Sequence, residues 1–247
     1  MTFKIGIILP IKSECSWKNI FDSHLYKHLI STFLKTYNKE HDYKFYCIFD
    51  DEDTIYANTE EQSILKKRVK LDIEFISSQG INPHHLTKMW NRAFERAYWD
   101  GCDYFFQCGD DIVFLDTNWV NKSIQKLQQN KNIGLTGPLD KLRMRTSIHS
   151  QIGGNRFIMT QAFVSRKHYE LFKVFFPEEI LNWYCDNFIT NLYSPKYFYA
   201  IDSYIINIGG RPRYEIEGSL NPNCPVKKKM EELVIQYKKV LENSMST

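Results

Sequence analysis

Short apolar runs alternate with stretches of helical spacing through the first half of the chain. KIGIILP (4–10) is an apolar run ended by proline and predicts a buried strand. From 17 to 36, Ile20, Leu25, Leu29, Ile30, Phe33 and Leu34 make a stripe at helical spacing. KFYCIF (44–49) predicts a second strand, 59–69 a helix, and LDIEFIS (71–77) a third strand. In the next helix Asn82 can cap and Pro83 suits the first turn. Leu86, Met89, Trp90, Ala93, Phe94 and Ala97 keep to one face. CDYFFQ (102–107) predicts a fourth strand, 117–129 a helix, and NIGLTG (132–137) a fifth strand. Strands separated by helices predict an α/β fold with a mostly parallel sheet.

After Gly137 the rhythm changes. LDKLRMRTSIHSQIGGN (139–155) is polar and too long for a simple connection, which predicts a functional loop. RFIMTQAFVS (156–165) reads as a strand, and HYELFKVFF and EEILNWYCDNFITNLY read as helices on either side of Pro177. YFYAID and YIINIGG read as strands, and Val226 to Glu242 as a charged amphipathic helix. The expected organisation is one domain. Residues 1–137 form its first half, 138–225 its second and 226–247 a terminal helix.

A net charge of +3 is too mild for nucleic acid to be the main partner. Cys15, Cys47, Cys102, Cys108, Cys185 and Cys224 contain no CxxC pair, so they read as reduced thiols of a cytoplasmic protein. The first residues are too soon interrupted for a signal peptide, and no stretch has the length of a transmembrane helix.

Charge enters the picture through its position. In an open parallel sheet, ligands bind beyond the carboxyl ends of the strands. Pro10, Lys12 and Glu14 follow strand one, Asp50 and Asp51 follow strand two, and Asp110 and Asp111 follow strand four. Two adjacent carboxylates repel, and Mg²⁺ and Mn²⁺ prefer carboxylate oxygen alongside substrate phosphates. Asp110 and Asp111 therefore read as metal ligands; the bland alternative is a helix cap near Asp116 and Thr117. Asp50 and Asp51 read as hydrogen-bonding a base or ribose, or else as a solvated acidic turn.

The order strand–LPIKSE, strand–FDDED, helix–strand–CGDDI resembles the GT-A fold of nucleotide-sugar glycosyltransferases, especially family 2. It is similar to glycosyltransferase-like proteins of large DNA viruses and algae, which would place it in a host cytoplasm. Pro10, Ile11, Lys12, Ser13 and Glu14 match the family's Pro-x-x-Asn-Glu, with Ser13 in place of Asn. Asp50 and Asp51 match the acids that bind the base, and LTKMWNRAFERAYWDGCDYFFQCGDD puts Lys88 and Asn91 toward the donor. Cys108 stands at the first position of the Asp-x-Asp metal motif, leaving Asp110 as the second acid and Asp111 as an extra one. NWYCDNFIT supplies Asp186 at the family's catalytic base.

The resemblance implies metal-dependent transfer of a sugar, with a UDP-sugar as donor and Mn²⁺ or Mg²⁺ as cofactor, to a glycan or other hydroxyl acceptor with inversion. The metal at Asp110 and Asp111 would stabilise the leaving diphosphate, helped by Lys88, Arg143 or Arg145. Asp186 would remove the acceptor proton, and Trp183 and Tyr184 would stack on a sugar ring. His149, Gln151, Gly153 and Gly154 would belong to a lid. Other readings are a buried helix face for LNWYC, a solvated His149, a nucleotidyltransferase, and an inactive sugar- or protein-binding module. LPIKSECS lacks the glycines expected of the nucleotidyltransferase.

Overall fold

A computed structural model describes residues 1–145, 158–209, 214–215, 217 and 223–245. Strands β1 (Lys4–Ile11), β2 (Asp42–Phe49), β3 (Asp72–Ser77) and β4 (Tyr104–Gln107) run parallel, and β7 (Ala162–Ser165) closes the sheet antiparallel against β4. The strand order is β3-β2-β1-β4-β7. A smaller sheet in the order β5-β8-β6 joins β5 (Ile112–Phe114), β6 (Leu139–Asp140) and β8 (Tyr204–Asn207). The fold is α/β with a mostly parallel five-stranded sheet flanked by helices, and it is compatible with a Rossmann-like arrangement.

Alternation along the strands builds two cores. Ile5, Ile7, Leu9 and Ile11 of β1 join Tyr104, Phe106 and Cys108 on one face. Ile8 and Phe105 point to the other. Each fully buried aliphatic or aromatic side chain contributes about 1.5–3 kcal/mol through the apolar area it removes from water. Helix α3 (Leu86–Trp99) packs on the second face through Ala93, Phe94 and Ala97. A Cβ at Gly6 would come within 3.1 Å of the Ala97 Cβ, so a bare backbone at Gly6 lets the helix seat.

The first strand does not stop at its proline. Cys108 N donates to Ile8 O, so even-numbered residues of β1 turn toward β4. The β1–β4 ladder ends at the Ile8–Gln107 pair. The missing N–H of Pro10 therefore breaks no ladder hydrogen bond, and β1 continues beside β2 through Ile11.

The stripe from 17 to 36 is not one helix. It is a 3₁₀ turn (Ile20–Asp22), a π-helix (Leu25–Ile30) and α1 (Ser31–Thr36), with Leu34 exposed. Helix α2 (Thr59–Val69) matches its expected bounds, capped by Asn58 accepting from Glu60 N and Glu61 N. Asn82 does not cap α3, whose N-cap position is His85. Helix α4 covers Trp119–Gln128. NIGLTG is not a strand of either sheet. Gly134 and Gly137 sit at φ +140° and +141°, and the run makes only the single bridges Leu135–Phe198 and Thr136–Phe163.

The polar stretch beginning at Leu139 opens with β6 and a five-residue helix α5 (Lys141–Arg145). The strand expected over 156–165 is confined, among the described residues, to β7. The two helical runs shorten to α6 (Arg166–Phe172) and α7 (Cys185–Tyr193). YFYAID contributes a bridge at Phe198, and YIINIGG contributes β8. Helix α8 (Pro225–Met245) packs Met230, Leu233, Val234 and Leu241 into the second core. Among the described residues no helix is long and apolar enough to cross a membrane.

Candidate functional site

Parallel pairing puts the carboxyl ends of β1, β2 and β4 side by side, and the antiparallel β7 begins at that same edge. The loops leaving this edge are tied by charge. Lys12 Nζ lies 3.2 Å from Asp50 Oδ2 across the β1–β2 boundary. The Lys12 ammonium also sits 4.7 Å above the ring of Tyr214. Asp50 and Asp51 part company: the Asp51 carboxylate accepts from the Ser77 hydroxyl at the end of β3.

A carboxylate outside the sequence motif fixes the geometry. Asp53 is buried, and its Oδ2 accepts from Ser13 N at 2.6 Å. Its Oδ1 accepts from Ile55 N and Tyr56 N at 3.1 and 2.8 Å. Asp53 thus holds the loop after β1 onto the loop after β2 and sets the spacing of Lys12 and Asp50. The only sequence signal for it was the acidic run FDDED itself, in which the fourth acid looks no different from the three before it.

Of the Pro-x-x-x-Glu residues, Pro10 and Ile11 lie within β1, and the Ile11 side chain is in the core. Any ligand contact from Ile11 falls to its backbone. Glu14 Oε1 stands 3.8 Å from His24 Nε2. The π-helix brings the rings of His24 and His28 to 5.2 Å. Burial and His24 depress the pKa of His28, while the negative charge of Asp110 acts against them. These histidines, absent from the motif, place a titratable pair beside Glu14 and within the electrostatic reach of Asp110.

Asp110 is wholly buried. Asp111 folds back, its Oδ1 2.7 Å from where a Cβ on Gly109 would be, so a side chain at 109 would have to push the Asp111 carboxylate aside. The other oxygen of Asp111 and Asn207 Oδ1 both approach the Cβ position of Gly209, at 3.7 and 2.9 Å. Cys108 is fully buried, and burial pushes its thiol well above the ordinary range, so it is no substitute for a carboxylate ligand.

Among the described residues no three His, Cys, Asp or Glu side chains converge to hold a metal unaided. Asp110 and Asp111 supply hard oxygen donors, which suits Mg²⁺ or Mn²⁺ only with phosphate oxygens and water completing the shell.

Asp186 is in the first turn of α7, where a carboxylate meets the positive end of the helix. Burial pushes its carboxyl up to about 6, the Arg143 guanidinium pulls the other way, and Asp140 adds to the upward push. Arg143 Nη1 is 3.6 Å from Asp186 Oδ2, and 29% of the Asp186 side chain still meets water. Asp140 is itself buried at the end of β6 and was hidden in the polar stretch. Tyr184 precedes α7 in a left-handed conformation, at φ 72°, beside Trp183.

The helix that carries Asp186 and the loop that carries Asp110 are connected through three consecutive residues. Thr190 Oγ1 on α7 accepts from Met159 N at 2.9 Å. Gln161 Oε1 accepts from Gly109 N at 2.9 Å. On the opposite side, Glu215 N donates to His84 Nδ1, and Glu217 Oε1 accepts from Leu181 N and Asn182 N.

Two expected donor residues have other partners. Asn91 accepts from Phe175 N and Phe176 N and donates to Phe176 O, so its buried amide holds a turn of the second core. Lys88, in the first turn of α3 with its side chain 40% exposed, pairs with Glu178 at 3.4 Å. His149, Gln151, Gly153 and Gly154 lie outside the described residues, as does the side chain of Arg145.

Among the described residues, three buried polar atoms around this edge have no hydrogen-bond partner: His24 Nδ1, Thr160 Oγ1 and Asn207 Oδ1. Orphaned groups of this kind are rare in folded proteins and point to a bound molecule or water. No known family model matches the chain, and no curated protein matches it in sequence.

Proposed function

We propose that the chain is a metal-dependent glycosyltransferase of the GT-A type, using a nucleoside-diphosphate sugar, with UDP as the expected nucleotide. The observation that carries this reading is the Lys12–Asp50 pair on adjacent strand ends, one strand away from the buried Asp110. A nucleoside would lie over β2 and β1, and its diphosphate would reach the loop after β4. Asp110 and Asp111 would hold Mn²⁺ or Mg²⁺ together with the phosphates, supplying an electrostatic clamp on the leaving group.

Asp186 is the candidate general base. A carboxylate with a pKa near 6 is ionised at neutral pH and is a better proton acceptor than an ordinary aspartate. Transfer by direct displacement would invert the sugar carbon: the acceptor oxygen bonds to it, the diphosphate leaves with the bonding electrons, and Asp186 takes the acceptor proton. Arg143 would have to yield the carboxylate to the acceptor.

Cys108 favours a second reading. With a buried thiol at the first acid position, the chain would be a sugar-binding module that retains the architecture without turnover.

The deciding experiment is a thermal-shift panel of nucleotides and nucleotide sugars with and without Mn²⁺. Ligands that bind the folded state raise the melting temperature. A metal-dependent rise with a nucleoside diphosphate, lost in Asp110→Ala/Asp111→Ala, is expected. No rise with any uridine or guanosine diphosphate would defeat the reading. Binding of free sugars without nucleotides would favour the module.

A further inference from the structure

Thr160 carries chemistry that neither the motifs nor the fold accounts for. It is 6% exposed, and among the described residues its hydroxyl has no hydrogen-bond partner. Its two neighbours are both occupied: the Met159 amide is held by Thr190 on the helix of Asp186, and the Gln161 side chain holds Gly109 beside Asp110. Thr160 is therefore flanked by the base-bearing helix and the acid loop. A valine would fill the same space without a stranded donor, so packing does not explain a threonine here.

Strand order gives the hydroxyl a ligand. Across the carboxyl edge the sequence of elements is β2, β1, β4, β7. Asp50 and Lys12 end β2 and β1, Asp110 and Asp111 follow β4, and Thr160 stands two residues before β7 begins. A nucleotide sugar laid along that edge has nucleoside, diphosphate and sugar in the same order.

We propose that Thr160 is a sugar contact, its hydroxyl exchanging a hydrogen bond with a hydroxyl of the transferred sugar; this rests on the glycosyltransferase reading above. Bound sugar supplies the missing partner, and Thr160 would discriminate between sugars by the placement of that hydroxyl.

The test compares UDP with UDP-glucose, UDP-galactose and UDP-N-acetylglucosamine by titration calorimetry in Mn²⁺. Wild type is measured beside Thr160→Val, with Thr160→Ser and Thr160→Ala as a pair that leave the same space but differ in the hydroxyl. For the best-binding sugar nucleotide, Thr160→Val and Thr160→Ala should weaken binding about five- to tenfold. Affinity for UDP should be unchanged, Thr160→Ser should keep the sugar increment, and the melting temperature of Thr160→Val should be no lower than wild type. Unchanged sugar-nucleotide affinity in the variants overturns the proposal, as does a parallel loss of UDP and UDP-sugar affinity. Failure of wild type to bind either is the separate signature of a failed glycosyltransferase reading, and the proposal falls with it. If Thr160→Val does not fold, the serine–alanine pair decides.

Discussion

Arg143 and Asp186 face each other at 3.6 Å across a carboxyl that is crowded by protein on one side and wetted on the other. The folded-state pKa of about 6 lies above the ordinary 3.8. An acid shifted upward costs the fold nothing below about pH 3.8. Stability falls as pH rises through the window to about 6, and the penalty is constant above it. Two pKa units correspond to roughly 3 kcal/mol, which water contact at the side chain reduces to about 1–2 kcal/mol. Asp186→Asn should therefore stabilise the protein at pH 7 by that amount and flatten the slope between pH 4 and 6, read from urea midpoints. Transfer should disappear in the variant, and in wild type it should decline as pH falls through about 6. Turnover that survives the substitution removes Asp186 from the mechanism.

Lys12 and Asp50 form a partly exposed pair, of a kind worth only about 0–1 kcal/mol to the fold. Lys12→Ala and Asp50→Asn should leave the denaturation midpoint nearly unmoved and abolish most of the nucleotide-induced rise in melting temperature. A normal rise in both variants would remove this pair from the donor site.

Asp53 behaves in the opposite way. Its carboxylate satisfies three backbone amides from two loops. Asp53→Ala should cost about 3 kcal/mol, measured by urea unfolding, because each bond to a charged acceptor contributes more than a neutral one. Nucleotide affinity should fall with it, since Ser13 carries the position of Lys12. A loss below about 1 kcal/mol would show that the two loops hold together without it.

Asn91 separates a donor contact from a packing role. Asn91→Ala strands the amides of Phe175 and Phe176 and should destabilise by about 2–3 kcal/mol. Nucleotide affinity, measured below the new melting temperature, should match wild type. A tenfold loss of affinity at unchanged stability would return Asn91 to the site.

Much of this architecture was legible before the coordinates, and the misses have physical causes. Helix α2 carries both its cap and its last apolar contact in sequence, and its bounds match. NIGLTG has the hydropathy of a strand, yet the positive φ of Gly134 and Gly137 prevents a continuous ladder, and hydropathy does not encode φ. Pro10 looked like a strand end because a sequence does not reveal that β4 has already stopped pairing there. Proximity of Lys12 to Asp50 followed from placing both at parallel strand ends. Asp53, Asp140, His24 and His28 were not legible, since each acquires its role from a neighbour 30 or more residues away or from the winding of a π-helix. Asn91 looked available because its helical face was visible while its partners, 84 and 85 residues distant, were not.

The span from Met159 to Gln161 also makes a mechanical statement. One end is fastened to the helix of Asp186 and the other to the backbone of Gly109. Three residues leave little slack between the two fastenings. On the reading proposed above, each substrate would alter the affinity for the other by the same factor.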